Sequence, residues 1–269
     1  MLTFPNAKIN IGLFITGKRP DGFHNIESIF YPLPLCDELQ IHEASQLSFQ
    51  SSGLEIPEGA RENLCLQAFR LLQAEHSLPP VEIRLRKNIP TGAGLGGGSA
   101  DGAFTLKMLN DLFRLKLDQS RLLAYAERLG SDCPFFIQNR PQCVTGRGEL
   151  LEAVDISLQG LYLLVVKPPV FVSSGEAYAG VSPTPAPYDL RQLPTLPVGE
   201  WRHHIFNDFE KHLFSQHPEI ARAKDQLYAA GATYAAMTGS GSAVYGIFRE
   251  RPDPGQFSAQ EHSWLCHIS

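Results

Sequence analysis

The run Pro90-Thr91-Gly92-Ala93-Gly94-Leu95-Gly96-Gly97-Gly98-Ser99-Ala100 places five glycines within eleven residues. Glycine at this density lets the backbone take positive φ and lets main-chain N–H groups approach a ligand closely. The run leads out of an alternating segment, Val81 to Arg86, into one with helical spacing at Ala103, Leu106, Leu109 and Phe113. Amides at a helix N-terminus have no intrahelical partner, and the helix dipole favours negative charge there. The chemistry expected of such a turn is phosphate binding.

Several phosphate loops are glycine-rich. The P-loop needs a lysine directly after its last glycine, and none follows here. Gly92, Gly94 and Gly97 fit the spacing G-x-G-x-x-G, but that dinucleotide fingerprint wants a parallel strand after its helix. Leu115 to Leu117, before Asp118, is too short for one. The companions H-R-D and D-F-G of protein kinases are absent. A flexible linker or a glycine-lined packing contact is the plain alternative; the ordered segments that bracket the run closely argue against it.

Other chemistry-bearing residues lie elsewhere. Ile9, Ile11, Leu13 and Ile15 share one face of a strand, which leaves Lys8, Asn10 and Gly12 on the other. That face is either a platform for a site or a solvated edge with Lys8 in water. Asp132 stands between the helix stop Gly130 and Pro134, where an extended backbone would free its carboxylate; otherwise it is a helix N-cap. Thr238-Gly239-Ser240-Gly241-Ser242 is a second glycine turn between apolar strands, either an additional set of amides and hydroxyls or a plain hairpin. Asn63 reads as the N-cap of a helix carrying Leu64, Ala68, Leu71 and Leu72. His203, His204 and His212 fit a solvent-facing helix better than a metal site, and no Asp/Glu cluster dedicated to a metal is evident.

The elements that must position these groups are mixed. The first third is strand-rich, with a turn at Pro20-Asp21-Gly22 and strands over 26–33 and 38–43. Asp118 caps a helix carrying Leu122, Tyr125, Ala126 and Leu129. Ser99 or Asp101 is expected to cap the helix after the glycines. Leu161 to Val166 forms a buried strand, and helices are expected over 203–216 and 219–230. Residues 182–197 hold five prolines and read as a surface loop. No internal repeat of solenoid length is present, and the most plausible division is into 1–152 and 153–269.

Four segments in register resemble the GHMP kinases. The glycine run through Asp101 resembles their phosphate-binding motif. Ala7-Lys8-Ile9-Asn10 with Gly17-x-Arg19-x-Asp21-Gly22-Phe23-His24 resembles the N-terminal signature of one branch, to which the triple glycine after Leu95 and the upstream Lys87 also point. Gly130-Ser131-Asp132-Cys133-Pro134-Phe135-Phe136 resembles that branch's catalytic segment, and Thr238 to Ser242 the third family motif. This branch phosphorylates a cytidine-diphosphate-linked methylerythritol in the non-mevalonate isoprenoid route.

The resemblance implies an α+β, two-domain GHMP-kinase fold with the active-site cleft between domains. It implies ATP as phosphoryl donor, with Mg²⁺ expected and held mainly by phosphates and water. Asp132 and Lys8 would be catalytic, Asp132 taking or orienting the hydroxyl proton while Lys8 keeps it ionised. Residues 90–100, Lys87 and Asn63 would hold the nucleotide. Asn10, Ser174, Gly239 and Ser240 would hold the acceptor, with Phe23 and Tyr178 sandwiching its cytosine and His24 bonding the base edge. Without the resemblance, Phe23 and Tyr178 read as core aromatics. Phe23 stands where the family more often has Tyr, Ser174 replaces Thr, and Ser131 and Cys133 replace Ala and Val.

Composition bounds the partners. Apolar residues make up 43% and charged residues 19%, an ordinary globular balance with room for a core. A net charge of −5 argues against a general nucleic-acid binder. Five cysteines without a C-x-x-C pair suggest free thiols in a reducing compartment. With no basic-then-apolar leader and no apolar run of membrane-spanning length, a cytoplasmic monomer or homodimer acting on a small molecule is expected.

Overall fold

A computed structural model of the chain describes residues 1–56, 62–257 and 261–269. Its first elements are β1 (Leu2–Thr3), β2 (Asn6–Lys18), β3 (His24–Cys36), β4 (Glu38–Glu43), β5 (Ser48–Gly53), α1 (Leu64–His76) and β6 (Val81–Lys87). After the glycine run come α2 (Gly97–Leu112), α3 (Gln119–Leu129), α4 (Cys133–Gln138), β7 (Gln142–Thr145), β8 (Leu150–Ala153) and β9 (Tyr162–Lys167). The chain continues with α5 (Ser174–Ala179), α6 (Trp201–His204), α7 (Glu210–Gln216), α8 (Pro218–Ala229), β10 (Tyr234–Met237), β11 (Val244–Phe248) and β12 (His262–His267).

These elements form two compact units, each discontinuous in sequence. The first comprises Met1–Ala7, Leu35–Thr91 and Gly96–Arg140; the second comprises Lys8–Pro34, Gly92–Leu95 and Pro141–Ser269. A single cut after residue 152 follows chain order. Spatial contact instead groups residues 8–34 with the C-terminal half, because β3 pairs with β7.

The first unit has a sheet of order β1-β4-β6-β5, antiparallel except for the parallel β5–β6 pair. Register sets Leu39 opposite Leu85 and Ile41 opposite Ile83, all buried. The alternate residues Gln40, Glu82 and Arg84 therefore lie on the other face. Helices α1, α2, α3 and α4 pack together. Their buried faces carry the residues whose spacing predicted them: Ala68 and Leu72 on α1, Leu106 and Leu109 on α2, Leu122 and Ala126 on α3. Asn63 caps α1 through Cys65 N–H at 2.9 Å, and Asp118 caps α3 through Arg121 N–H at 2.9 Å.

The second unit has two sheets, β2-β3-β7-β8 and β10-β11-β9-β12. Leu163 to Val166 on β9 and all of β11 are buried, so this second sheet is covered on both faces at its centre. Ile220, Ala223 and Leu227 of α8 join a core with Leu164, Val166, Met237 and Val244.

The helix expected over 203–216 is broken. Residues 205–207 run extended beside β2 and 208–209 turn into α7, with Leu13 N–H donating to Phe206 O and Asp208 N–H donating to Leu13 O, each 2.9 Å. Asn207, buried, explains the break. Its Nδ2 donates to Met237 O at 2.9 Å and Gly239 O at 2.8 Å, and its Oδ1 accepts Phe209 N–H at 3.0 Å. The proline-rich 182–197 stretch lies at the surface, as expected, and is pinned there at a few points. Thr184 N–H donates to Ile15 O at 3.0 Å, and Leu190 and Leu193, in a 3-10 turn, are buried.

Replacing Asn207 with alanine strands two buried carbonyls and one amide. Each unsatisfied group costs about 1–3 kcal/mol, so Asn207→Ala is expected to lower stability by about 3 kcal/mol or more. Urea unfolding followed by circular dichroism measures this, and a loss within experimental error would show that the carbonyls find other partners.

Candidate active site

The glycine run takes positive φ at alternate positions: 66° at Gly92, 77° at Gly94 and 73° at Gly96. Gly96 is the N-cap of α2 and supplies no side-chain cap, and neither Ser99 nor Asp101 fills that role. Ala100 N–H closes the first turn onto Gly96 O at 2.9 Å. The earlier amides of a sixteen-residue helix are thus uncapped by any side chain. Gly98 is exposed, and a β-carbon there would meet nothing within 4 Å. An open, uncapped helix N-terminus with bare backbone in front of it fits an anion.

Within the second unit the middle of the run rests on the turn that joins β10 to β11. A β-carbon on residue 94 would fall 2.0 Å from Thr238 O, and one on residue 239 would fall 3.0 Å from Gly94 Cα. Two backbones meet there with no space for a side chain on either. The Thr238 hydroxyl donates to Gly94 O at 3.1 Å, Ala243 N–H to Ala93 O at 3.2 Å, and Lys8 N–H to Leu95 O at 2.9 Å. The 238–242 segment is therefore both a hairpin turn and the backing of the glycine run. Ser240 on this turn lies 3.5 Å from Ser174, hydroxyl to hydroxyl, at the start of α5.

Lys8 and Asn10 share a face of β2, as alternation requires, but that face is interior, since both residues are buried. Lys8 Nζ donates to Asn10 Oδ1 at 2.6 Å and lies 4.3 Å from the centre of the Phe30 ring. Asn10 Nδ2 donates to Ser28 Oγ at 2.9 Å, and its main-chain N–H donates to Thr238 Oγ1 at 3.1 Å. The Tyr245 hydroxyl donates to Asn10 O at 2.8 Å. Ser28, Phe30 and Tyr245 were not legible as site residues; they come from strands with no motif of their own.

In the first unit, Asp132 is half-buried at the start of α4 and makes no capping bond to that helix. Its backbone is helical (φ −86°, ψ −13°), not extended. The restriction imposed by Pro134 falls on Cys133, the residue directly before it, and Pro134 itself fits the first turn of α4. Helix α4 packs against α2, and the Cys133 thiol lies near the Ser99 side chain. Burial pushes that thiol up to about 12. Asp132 thus sits at the start of a short helix packed against the loop's helix.

Lys87, expected against the nucleotide, is buried beneath the loop. Its ammonium pairs with Asp37 and, at 2.7 Å, with Asp101 Oδ2. Burial pulls its pKa down, but the two carboxylates outweigh this and raise it. Asp101 is raised to about 8: burial lifts it, Lys87 opposes, and Asp37 adds to the lift. Asn63, expected beside the adenine, has its amide oxygen committed to the α1 cap.

The expected base sandwich is arranged differently. His24 itself stacks on Tyr178, with ring centres 5.0 Å apart and planes 20° from parallel, and Phe209 meets Tyr178 edge-on at 4.9 Å. Phe23 is 54% exposed, with the Arg147 guanidinium 5.2 Å from its ring centre. Phe23 is not a core aromatic, whereas Tyr178, half-buried, packs against the core that holds Phe209. Among the described residues no three His, Cys, Asp or Glu side chains gather as a cation cage.

Comparison with known proteins decides the family. Residues 63–140 match the GHMP kinases N terminal domain and residues 196–260 match GHMP kinases C terminal. The 4-diphosphocytidyl-2-C-methyl-D-erythritol kinase of Bacteroides fragilis is 51% identical over 252 residues, 92% of each chain. The chain belongs to the GHMP kinases. Within them it falls with the 4-diphosphocytidyl-2-C-methyl-D-erythritol kinases. The Parabacteroides distasonis enzyme of that name is 50% identical and covers all of this chain and 98% of its own. A crystal structure of 4-(cytidine 5'-diphospho)-2C-methyl-D-erythritol kinase superposes with a TM-score of 0.79 at 31% identity, over 99% of this chain and 98% of that one. Homoserine kinase from Cytophaga hutchinsonii shares the fold, with a TM-score of 0.66 at 16% identity, over 99% and 94% of the two chains.

Two glycines of the loop should behave oppositely. Gly94→Ala forces a methyl into the Thr238 carbonyl at a left-handed φ and is expected to lower stability by more than about 2 kcal/mol. Gly98→Ala fills open space in a helix and should leave the melting temperature equal or higher while weakening ATP binding. Calorimetry of both variants checks this.

A pH effect follows from Asp101. Folding holds on this carboxyl a proton that the unfolded chain releases above roughly pH 4. Its contribution to stability is therefore full in acid and is lost as pH rises towards 8. Asp101→Asn mimics the protonated acid and should flatten the fall of unfolding free energy between pH 5 and 8, read by urea titrations at each pH.

Proposed function

We propose that this chain transfers the γ-phosphoryl group of ATP to the 2-hydroxyl of 4-diphosphocytidyl-2-C-methyl-D-erythritol. The observation that carries the reading is the uncapped N-terminus of α2 behind three glycines of positive φ, in a chain about half identical to kinases of that name over its full length. Phosphoryl transfer asks for positioning and charge stabilisation rather than covalent help. The amides of residues 92–99 would supply both for the triphosphate. Mg²⁺ would arrive on the nucleotide's phosphates, as this ion often does.

The acceptor oxygen attacks the γ-phosphorus, the bond to the β–γ bridging oxygen breaks, and ADP leaves. We assign Asp132 as the carboxylate that orients the hydroxyl and accepts its proton. Lys8 is the ammonium that holds the acceptor and offsets charge building on the phosphoryl oxygens. Asn10 fixes Lys8, and the bond between them at 2.6 Å supports that role. Phe23, His24 and Tyr178 provide aromatic surface for the cytosine, and base stacking of this kind is worth roughly 1–3 kcal/mol per base. With His24 already against Tyr178, the base would stack on the outer face of Phe23 or displace His24 towards its own edge. Five free cysteines suit a cytoplasmic enzyme, which we take to act as a monomer or homodimer. Among the described residues no helix is long and apolar enough to cross a membrane.

Mass spectrometry of the product formed from ATP and the diphosphocytidyl substrate tests the reaction. Asp132→Asn should lower kcat by about 10²–10⁴-fold with MgATP affinity little changed. Lys8→Ala should act in the same direction. Near-native turnover in either variant would remove that residue from its role.

A further inference from the structure

Asp37 has no place in the expected site and no motif around it, yet its side chain is wholly buried. It is the single residue between β3 and β4. Its Oδ1 accepts two main-chain N–H groups, from Asn88 at 2.6 Å and Ile89 at 2.9 Å, and its Oδ2 pairs with the Lys87 ammonium. Asn88 Nδ2 also donates to Cys36 O at 3.0 Å. Amides that a longer β6 would offer to a neighbouring strand are taken by a carboxylate. The strand stops there and the chain turns into the glycine run.

Two lines lead from Asp37 to the N-terminus of α2. The first is electrostatic: Lys87 bridges Asp37 to Asp101, which lies one turn inside the helix. The second is steric. The amide of Ile89 is fixed by Asp37, and its side chain abuts Gly97 so closely that a β-carbon there would fall 2.8 Å from Ile89 Cγ2. Gly97 is the first residue of the helix, and its amide is among those offered to an anion.

We infer that Asp37 is a positioning residue of the phosphate loop, fixing through Ile89 and Lys87 the direction of the α2 amides that bind the triphosphate. This rests on the proposed function only in taking ATP as the loop's ligand. Charge-assisted bonds of this kind are the strong ones, so losing them should be visible in nucleotide affinity.

Asp37→Asn keeps the volume and one acceptor but turns an amide N–H₂ or a neutral oxygen towards Lys87. MgATP affinity, measured by titration calorimetry without acceptor, is expected to fall about tenfold or more. In turnover, KM for ATP should rise by a similar factor, while KM for the diphosphocytidyl substrate and kcat at saturating ATP stay within about twofold. Hydrogen exchange at residues 97–99 should quicken. Ile89→Ala, which leaves every charge in place, should weaken MgATP severalfold and decides the matter if Asp37→Asn does not fold. A lowered melting temperature with unchanged MgATP affinity in the folded variants would overturn the inference, as would an equal rise of both KM values. Failure of the wild-type chain to phosphorylate the diphosphocytidyl substrate would overturn the proposed function instead, because the calorimetric arm uses no acceptor.

Discussion

The contact on which most else depends has no side chain in it. Thr238 O lies where the β-carbon of residue 94 would be, and Gly94 Cα lies where that of residue 239 would press. Close-packed interiors leave no slack for one added methyl, and both backbones are held at positive φ, where a side chain is strained in any case. Glycine at 94 and at 239 is thus one requirement stated twice, at positions 145 residues apart in sequence. From that contact the Thr238 hydroxyl reaches Gly94 O and Asn10, and Asn10 reaches Lys8. The ammonium proposed for catalysis is located by a turn proposed for phosphate recognition.

Burial of that ammonium gives it value and makes it demanding. Lys8 leaves water, and an isolated charge there would be expensive. The Asn10 carbonyl oxygen at 2.6 Å and the negative face of Phe30 at 4.3 Å replace part of its hydration with fixed dipoles. An amide and an aromatic face orient the ammonium along β2, which suits a group proposed to meet phosphoryl oxygens. The Lys87 ammonium is the opposite case. Asp37 and Asp101 enclose it, and their negative charge exceeds its own unless Asp101 keeps its proton. Lys8 is the lysine proposed for chemistry, whereas Lys87 is held between two buried carboxylates.

Local rules made much of this legible in the sequence. Periodicity gave α1, α2 and α3 their buried faces, and Asn63 and Asp118 cap as their types suggest. Density of glycine marked the loop, and alternation put Lys8 with Asn10. Most of the failures share one cause, long-range partners. The helix over 203–216 breaks because Asn207 must bond carbonyls thirty residues away. Lys87 turned inward because Asp37, fifty residues earlier, waits for it. Both faces of β2 are interior, which alternation alone cannot tell from one wet face. Asp132 took a helical backbone because the proline rule acts on its neighbour, a misplacement by one residue.

The glycine run is secured at its two ends by different physics. Residues 92–95 are held by backbone contact and neutral hydrogen bonds to the 238–243 turn, and residues from Gly96 on belong to a helix tied to buried charge. Backbone contact of this kind is insensitive to salt and pH, whereas the charged end responds to the proton on Asp101. A loop anchored only by charge would loosen as pH rises, and one anchored only by packing could not aim the amides of a helix it does not contain. Each positive φ in the run is a backbone state that glycine takes without strain. The density of glycine that marked the run is therefore explained twice, by the bare approach at Gly94 and Gly97 and by the left-handed φ at Gly92, Gly94 and Gly96.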